Sequence, residues 1–169
     1  MINIGSSKIS EMYVGSNKIA QAYVGSTKVY ELSSPAPTGY DSYVIHLTWG
    51  YNDNLTLAGL HIDGVQPSTS DVTMQYHNGT WIDTPSNNVI NAIKWDNNDN
   101  GINFNCDAIN INFTNASIPS TVQVKNGKWF GGGSMTVTMH VAGVKDGVET
   151  DLGYTSQTNA PNLIYTVNI

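Results

Sequence analysis

Met135, Val137, Met139 and Val141 alternate with Ser134, Thr136, Thr138 and His140, and a strict period of two marks a strand with one face buried and the other in water. The same rhythm places Tyr43, Ile45, Leu47 and Trp49 on one face of an earlier strand and Val44, His46 and Thr48 on the other. Residues 55–62 form an apolar run closed by Asp63-Gly64, and residues 71–77 and 80–83 flank Asn78-Gly79. Asn-Gly favours the type I′ turn, whose twist matches that of paired strands, so this stretch predicts a two-residue hairpin with Tyr76 opposite Trp81. Residues 89–95, 102–113, 121–130 and 163–169 read as further strands, with tight turns at Asn126-Gly127 and Asp146-Gly147. No apolar stripe at helical spacing is long enough to predict a helix. Eight to ten short strands separated by turn residues predict an all-β domain, a β-sandwich or jelly roll.

Before residue 40 the pattern is different. Residues 1–10, 11–20 and 21–30 are one decapeptide in three copies, with Gly at 5, 15 and 25, Ser at 6, 16 and 26, and Lys at 8, 18 and 28. Gly followed by Ser makes a corner, and the β-branched and aromatic residues between corners favour extended chain. Ile9, Met12 and Val14 break the period of two, which predicts a bend near Ser10 and Glu11 and a path that turns twice per decad. A segment below about 40 residues cannot enclose a core without metal, disulfide or partner chains. Stacking copies of the segment buries Ile9, Tyr13, Ile19, Tyr23 and Val29 around a shared axis, so residues 1–32 are expected to form a homo-oligomer, a trimer. The alternative is that the decads are edge strands on their own globular domain. Residues 33–39, with Pro35 and Pro37 among small residues, form a stiff linker to a domain at 40–169.

Tyr-Val-Gly-Ser-x-Lys followed by Ile or Val, in tandem, resembles the N-terminal segments of bacteriophage virion proteins, among them tail, baseplate and head-fibre components. The resemblance spans residues 1–32 and implies a virion part, attached to other virion proteins through its N-terminal repeats and displaying the remainder of its chain. Asn3 departs from the pattern that Tyr13 and Tyr23 share, as expected of a capping repeat. Within the second domain, Asn91-Ala92 through Trp95-Asp96 and the run Ala108-Ile109-Asn110-Ile111-Asn112-Phe113 resemble galactose-binding-like (discoidin) jelly rolls. That resemblance implies carbohydrate recognition and carries no ligand residue with it.

Composition narrows the partners. Hydrophobic residues make up 40 % of 169, enough for a sizeable core, yet no 18-residue apolar run exists to span a bilayer and the N-terminus lacks the features of a secretory signal. The expectation is no membrane partner and a virion location reached by assembly in the host cytoplasm and lysis. The formal charge is −6 and arginine is absent, so the forked phosphate reader and the basic footprint of a nucleic-acid binder are both missing. Cys106 is the one cysteine and reads as a small buried hydrophobe.

Sugar rings stack on exposed aromatic faces while amides and carboxylates bind their hydroxyls, which makes Tyr76, Trp81, Asp83, Trp95 and Trp129 the glycan candidates; each ring also has a plain reason to exist as core. Asp96, Asn98, Asn100 and Asp107, with Gly101 at the sixth position, match the oxygen-ligand spacing of a calcium loop. An Asn/Asp-rich connection that makes its own turns looks the same. His46, His61, His77 and His140 lack zinc-ligand spacing and fall on polar strand faces. No nucleophile-elbow or phosphate-loop motif is present, and Gly131-Gly132-Gly133 precedes a strand. No catalytic residue and no cofactor other than this calcium are therefore expected. The expectation is a virion fibre, tail or decoration protein that binds host-surface carbohydrate. The competing readings are a purely structural decoration protein and a polysaccharide-degrading enzyme with two positioned carboxylates.

Overall fold

The computed structural model describes residues 39–50, 54–95, 101–127 and 135–169 in full and, before them, the backbone of short paired strands between residues 3 and 31. The chain divides into two compact units, Met1–Thr38 and Gly39–Ile169. In the first, β1 (Asn3–Ile4) pairs antiparallel with β2 (Ser7–Lys8), β3 (Tyr13–Val14) with β4 (Asn17–Lys18), and β5 (Gln21–Val24) with β6 (Thr27–Glu31). The strands of each pair flank the Gly-Ser of their own decad in sequence, with Ile4 opposite Ser7, Val14 opposite Asn17 and Val24 opposite Thr27. The bend expected at Ser10 and Glu11 lies outside the described residues, as do Ile9 and Ile19, while Tyr13, Tyr23 and Val29 fall on β3, β5 and β6.

The second unit is an all-β sandwich. Its strands are β7 (Ser42–Thr48), β8 (Asn54–Ile62), β9 (Val72–His77), β10 (Trp81–Asp83), β11 (Ile102–Asn105), β12 (Ala108–Phe113), β13 (Thr121–Asn126), β14 (Thr136–Lys145), β15 (Val148–Thr158) and β16 (Ile164–Asn168). Among the described residues a helix, α1 (Ser86–Ile93), lies between β10 and β11. A six-stranded sheet runs β10-β9-β12-β7-β14-β15 and a four-stranded sheet runs β11-β8-β13-β16, with every pair antiparallel. The pairs β7 with β14, β8 with β13 and β9 with β12 nest inside one another and alternate between sheets. That is a long hairpin wound over itself, the winding of a jelly roll.

Alternation placed the core-facing side chains correctly. Tyr43, Ile45, Leu47, Val137, Met139 and Val141 are fully buried, facing Leu55, Leu57, Leu60, Val122 and Val124 of the other sheet. Each contributes about 1.5–3 kcal/mol relative to exposure. Tyr43 stacks on Phe113 at 5.1 Å and donates its hydroxyl to the Ser117 carbonyl at 2.9 Å. Asp63-Gly64 and Asp146-Gly147 form the expected turns, with positive φ at both positions of each.

Four sequence expectations are corrected. Residues 89–95 are not a strand, because 86–93 is helical: Pro85 enters at φ −55°, and Val89, Ala92 and Ile93 are buried at spacings of three and four. β-branched composition suggested a strand there, but the spacing suits one short helical face, which packs on the core. Residues 102–113 are two strands in different sheets, broken at Cys106 and Asp107. Asn126-Gly127 is no hairpin turn: Asn126 ends β13, fully buried, and its side-chain amide donates to Asn159 Oδ1 at 2.7 Å and to the Ala160 carbonyl at 2.8 Å. In the Asn78-Gly79 hairpin only the glycine has positive φ, so the type I′ geometry is not met and the loop holds three residues. Trp81 therefore pairs with His77, and Ile82 with Tyr76.

Candidate functional site

That one-residue shift moves Trp81 to the opposite face of the sheet from Tyr76. Tyr76 points inward and packs tilted on Phe104 at 6.0 Å. Trp81 points outward, 46 % exposed, beside the His77 ring at 5.2 Å.

Tracing the register outward from this hairpin shows what else shares its face. Asp83 pairs with Gln75, Gln75 with Asn110, Asn110 with His46, His46 with His140 and His140 with Tyr154. These six residues form one row across all six strands on the side away from the core; with strands about 4.8 Å apart the row is about 24 Å long. Members brace one another. Gln75 Nε2 donates to Asp83 Oδ1 at 2.8 Å and His46 Nδ1 faces Asn110 Oδ1 at 2.8 Å, while from outside the row Glu149 Oε2 meets His46 Nε2 at 2.9 Å. Tyr154, 66 % exposed, stacks on the His140 ring at 5.1 Å and 17°. The adjoining row reads Trp81, His77, Ala108, Thr48, Thr138 and Ser156.

At the Asp83 end the row runs into a cleft of about 480 Å³, bounded by the edge of β9, the start of α1 and the 3₁₀ turn at Thr69–Asp71. Thr73, Gln75, Asp83 and Asn112 offer polar groups to it, and Val72, Val89 and Ile90 form an apolar wall. Amides, hydroxyls and one carboxylate beside apolar carbon and exposed rings can bind a polyhydroxylated ligand, with hydroxyls on the polar groups and C–H faces on the rings.

Trp95 is held elsewhere. Its ring stacks on His61 at 3.7 Å and 12° and lies over Gly59, where an added Cβ would come within 2.7 Å of it; this is the outer face of the four-stranded sheet. Burial holds the His61 imidazole below its ordinary pKa. Trp129 lies outside the described residues. The four described glycan candidates thus do not converge: Trp81 and Asp83 share the six-stranded face, Tyr76 and Trp95 do not.

Asp96, Asn98 and Asn100 lie outside the described residues as well. Asp107 accepts from or pairs with His77 Nδ1 at 2.7 Å. Gly101 has no positive φ, and a Cβ there would sit 2.0 Å from the Leu57 carbonyl oxygen, so a close strand approach is reason enough for glycine. Among the described residues no three His, Cys, Asp or Glu side chains converge as a metal site. Cys106 is buried, and its thiol is pushed up to about 12, chiefly by that burial.

Sequence reasoning missed Gln75, Asn110, His46, His140 and Tyr154 as one surface, although it put the histidines on polar faces. The signal that unites them is strand register between residues 46 and 154, which no local pattern carries. No protein-family model, curated protein or solved structure matches this chain.

Proposed function

We propose that this chain is a bacteriophage virion protein that displays its sandwich domain outward and binds host-surface carbohydrate along the outer face of the six-stranded sheet. The observation that carries the reading is the row from Asp83 to Tyr154, polar on every strand, with exposed rings at Trp81 and Tyr154 and a cleft at one end. Asp83 is the one carboxylate among the described residues of that cleft, whereas glycoside hydrolysis needs two flanking the bond, so binding is favoured over cleavage. The decapeptide repeats supply attachment to other virion proteins and a homotrimer through Ile9, Tyr13, Ile19, Tyr23 and Val29. Three weak sites on one assembly raise the avidity for a repetitive surface without tight single-site binding.

Glycan-array binding of the full chain, compared with Trp81→Ala and Asn110→Ala, tests this. Signal on host-type glycans that both variants weaken is the expected result. An array that stays dark, or variants that bind as the parent does, returns the protein to a structural decoration role.

A further inference from the structure

The cleft at the end of the row is more selective than the row itself. It exists because β10 pairs only with Gln75, Tyr76 and His77, so that from Val72 to Met74 no described strand covers the outer edge of β9 and α1 stands off from it instead. Its volume of about 480 Å³ lies in the lower half of the range for small-molecule pockets.

Three features of its lining define a guest. The first is the bond from Gln75 Nε2 to Asp83 Oδ1, which fixes both groups and leaves Asp83 Oδ2 and Gln75 Oε1 as acceptors for hydroxyl donors. The second is Thr84, which lines the cleft, is only 9 % exposed, and is pinned by its backbone N–H to the Met74 carbonyl at 2.9 Å. Its Oγ1 is closed off from solvent and has no hydrogen-bond partner. Such a buried hydroxyl is unfavourable unless something completes it, and a guest in the cleft that Thr84 lines is a candidate to do so. The third is the apolar wall of Val72, Val89 and Ile90, the last 41 % exposed, which suits a methyl group.

Charge sets a further limit. Among the described residues no lysine lines the cleft, its rim carries the Asp83 carboxylate, and residues 39–169 hold four lysines against eleven Asp and Glu. An acidic sugar would bring a second anion beside Asp83 with no cation to offset it.

We infer that this cleft is the specificity pocket of the glycan-binding face and takes one neutral terminal sugar bearing a methyl group, an N-acetylamino or 6-deoxy pyranose, while rejecting uronic and sialic acids. The inference rests on the carbohydrate reading of the outer face.

Saturation-transfer NMR and calorimetry on the full chain test it, with the methyl glycosides of N-acetylglucosamine, fucose, glucose and glucuronic acid as probes and a neutral oligosaccharide that binds the array as reference. The N-acetyl or the 6-deoxy glycoside should bind saturably and the glucuronide should not. Thr84→Val should weaken that binding about tenfold, because the hydroxyl contact is lost, while the melting temperature holds or rises, because no partner inside the fold is lost. Thr84→Ser should bind within about twofold of the parent, and Ile90→Asp, at an exposed position, should abolish methyl-sugar binding without unfolding the domain. Equal binding by the parent and Thr84→Val, or glucuronide binding as tight as the others, overturns the pocket. If Trp81→Ala weakens the oligosaccharide while Thr84→Val and Ile90→Asp leave every glycoside unaffected, the pocket falls and the face stands. If nothing binds, both fall.

Discussion

Asp63 holds φ at 51°, a conformation that Asp and Asn tolerate better than most side chains, and its Oδ1 accepts from the backbone N–H groups of Ser120 at 2.7 Å and Thr121 at 2.9 Å. One side chain thereby shapes the turn after β8 and ties it to the start of β13. Asp63→Ala should cost about 1–3 kcal/mol, since two donors lose their acceptor and alanine tolerates positive φ poorly, and Asp63→Asn should cost much less. Urea titration of the two variants checks both figures. His61 makes a prediction with a definite sign. Burial lowers its pKa in the folded chain below the ordinary 6.5, so the neutral ring is the form that folding favours. Its contribution is complete above 6.5 and is lost as pH falls through the lower folded value. The urea midpoint should drop between about pH 7 and pH 5 less steeply in His61→Gln than in the parent; matching slopes would contradict this.

At the scale of elements, legibility depended on how local the deciding interaction is. β7 and β14 were readable because one face of each meets the core and the other meets water, and Asp146-Gly147 was readable because both turn residues take positive φ. Helix α1 was missed because eight residues give only two turns of period, and Val89, Ile90 and Ile93 are β-formers that tertiary packing overrides. The break at Cys106 leaves a trace in the sequence, a change of phase from Ile102 and Phe104 on even positions to Ile109, Ile111 and Phe113 on odd ones, which the reading of 102–113 as one strand passed over; pairing with β8 on one side and β7 on the other makes it two strands. Gly101 is where β11 comes against β8. Gly101→Ala places a Cβ 2.0 Å from Leu57 oxygen, so β11 must shift, and a loss of about 2 kcal/mol or more is expected. Hydrogen exchange should show weakened protection in β11 while β7 and β14 keep theirs.

For the whole molecule, the decads and the sandwich are separate units by their internal contacts, so the assembly proposal can be tested without damaging the outer face of the six-stranded sheet. Light scattering should give a trimer mass for the full chain and a monomer mass once residues 1–32 are removed. The shortened chain should still bind methyl glycosides as the full chain does but lose avidity for multivalent glycan surfaces. An unchanged mass after removal would refute assembly through the repeats.

The amino-acid sequence alone determined the class of fold, the core-facing side of the main strands and two of the tight turns, because alternation and turn chemistry are written within a few neighbouring residues. Of the candidate site it carried Trp81 and Asp83 and the polar setting of the histidines. Only the tertiary structure decided that Trp81 and Tyr76 face opposite ways, that Trp95 is taken up by His61, and that residues as distant as His46 and Tyr154 stand in one row. A single-residue change of register reverses every side chain of a strand, and register is chosen by the packing of the entire sandwich.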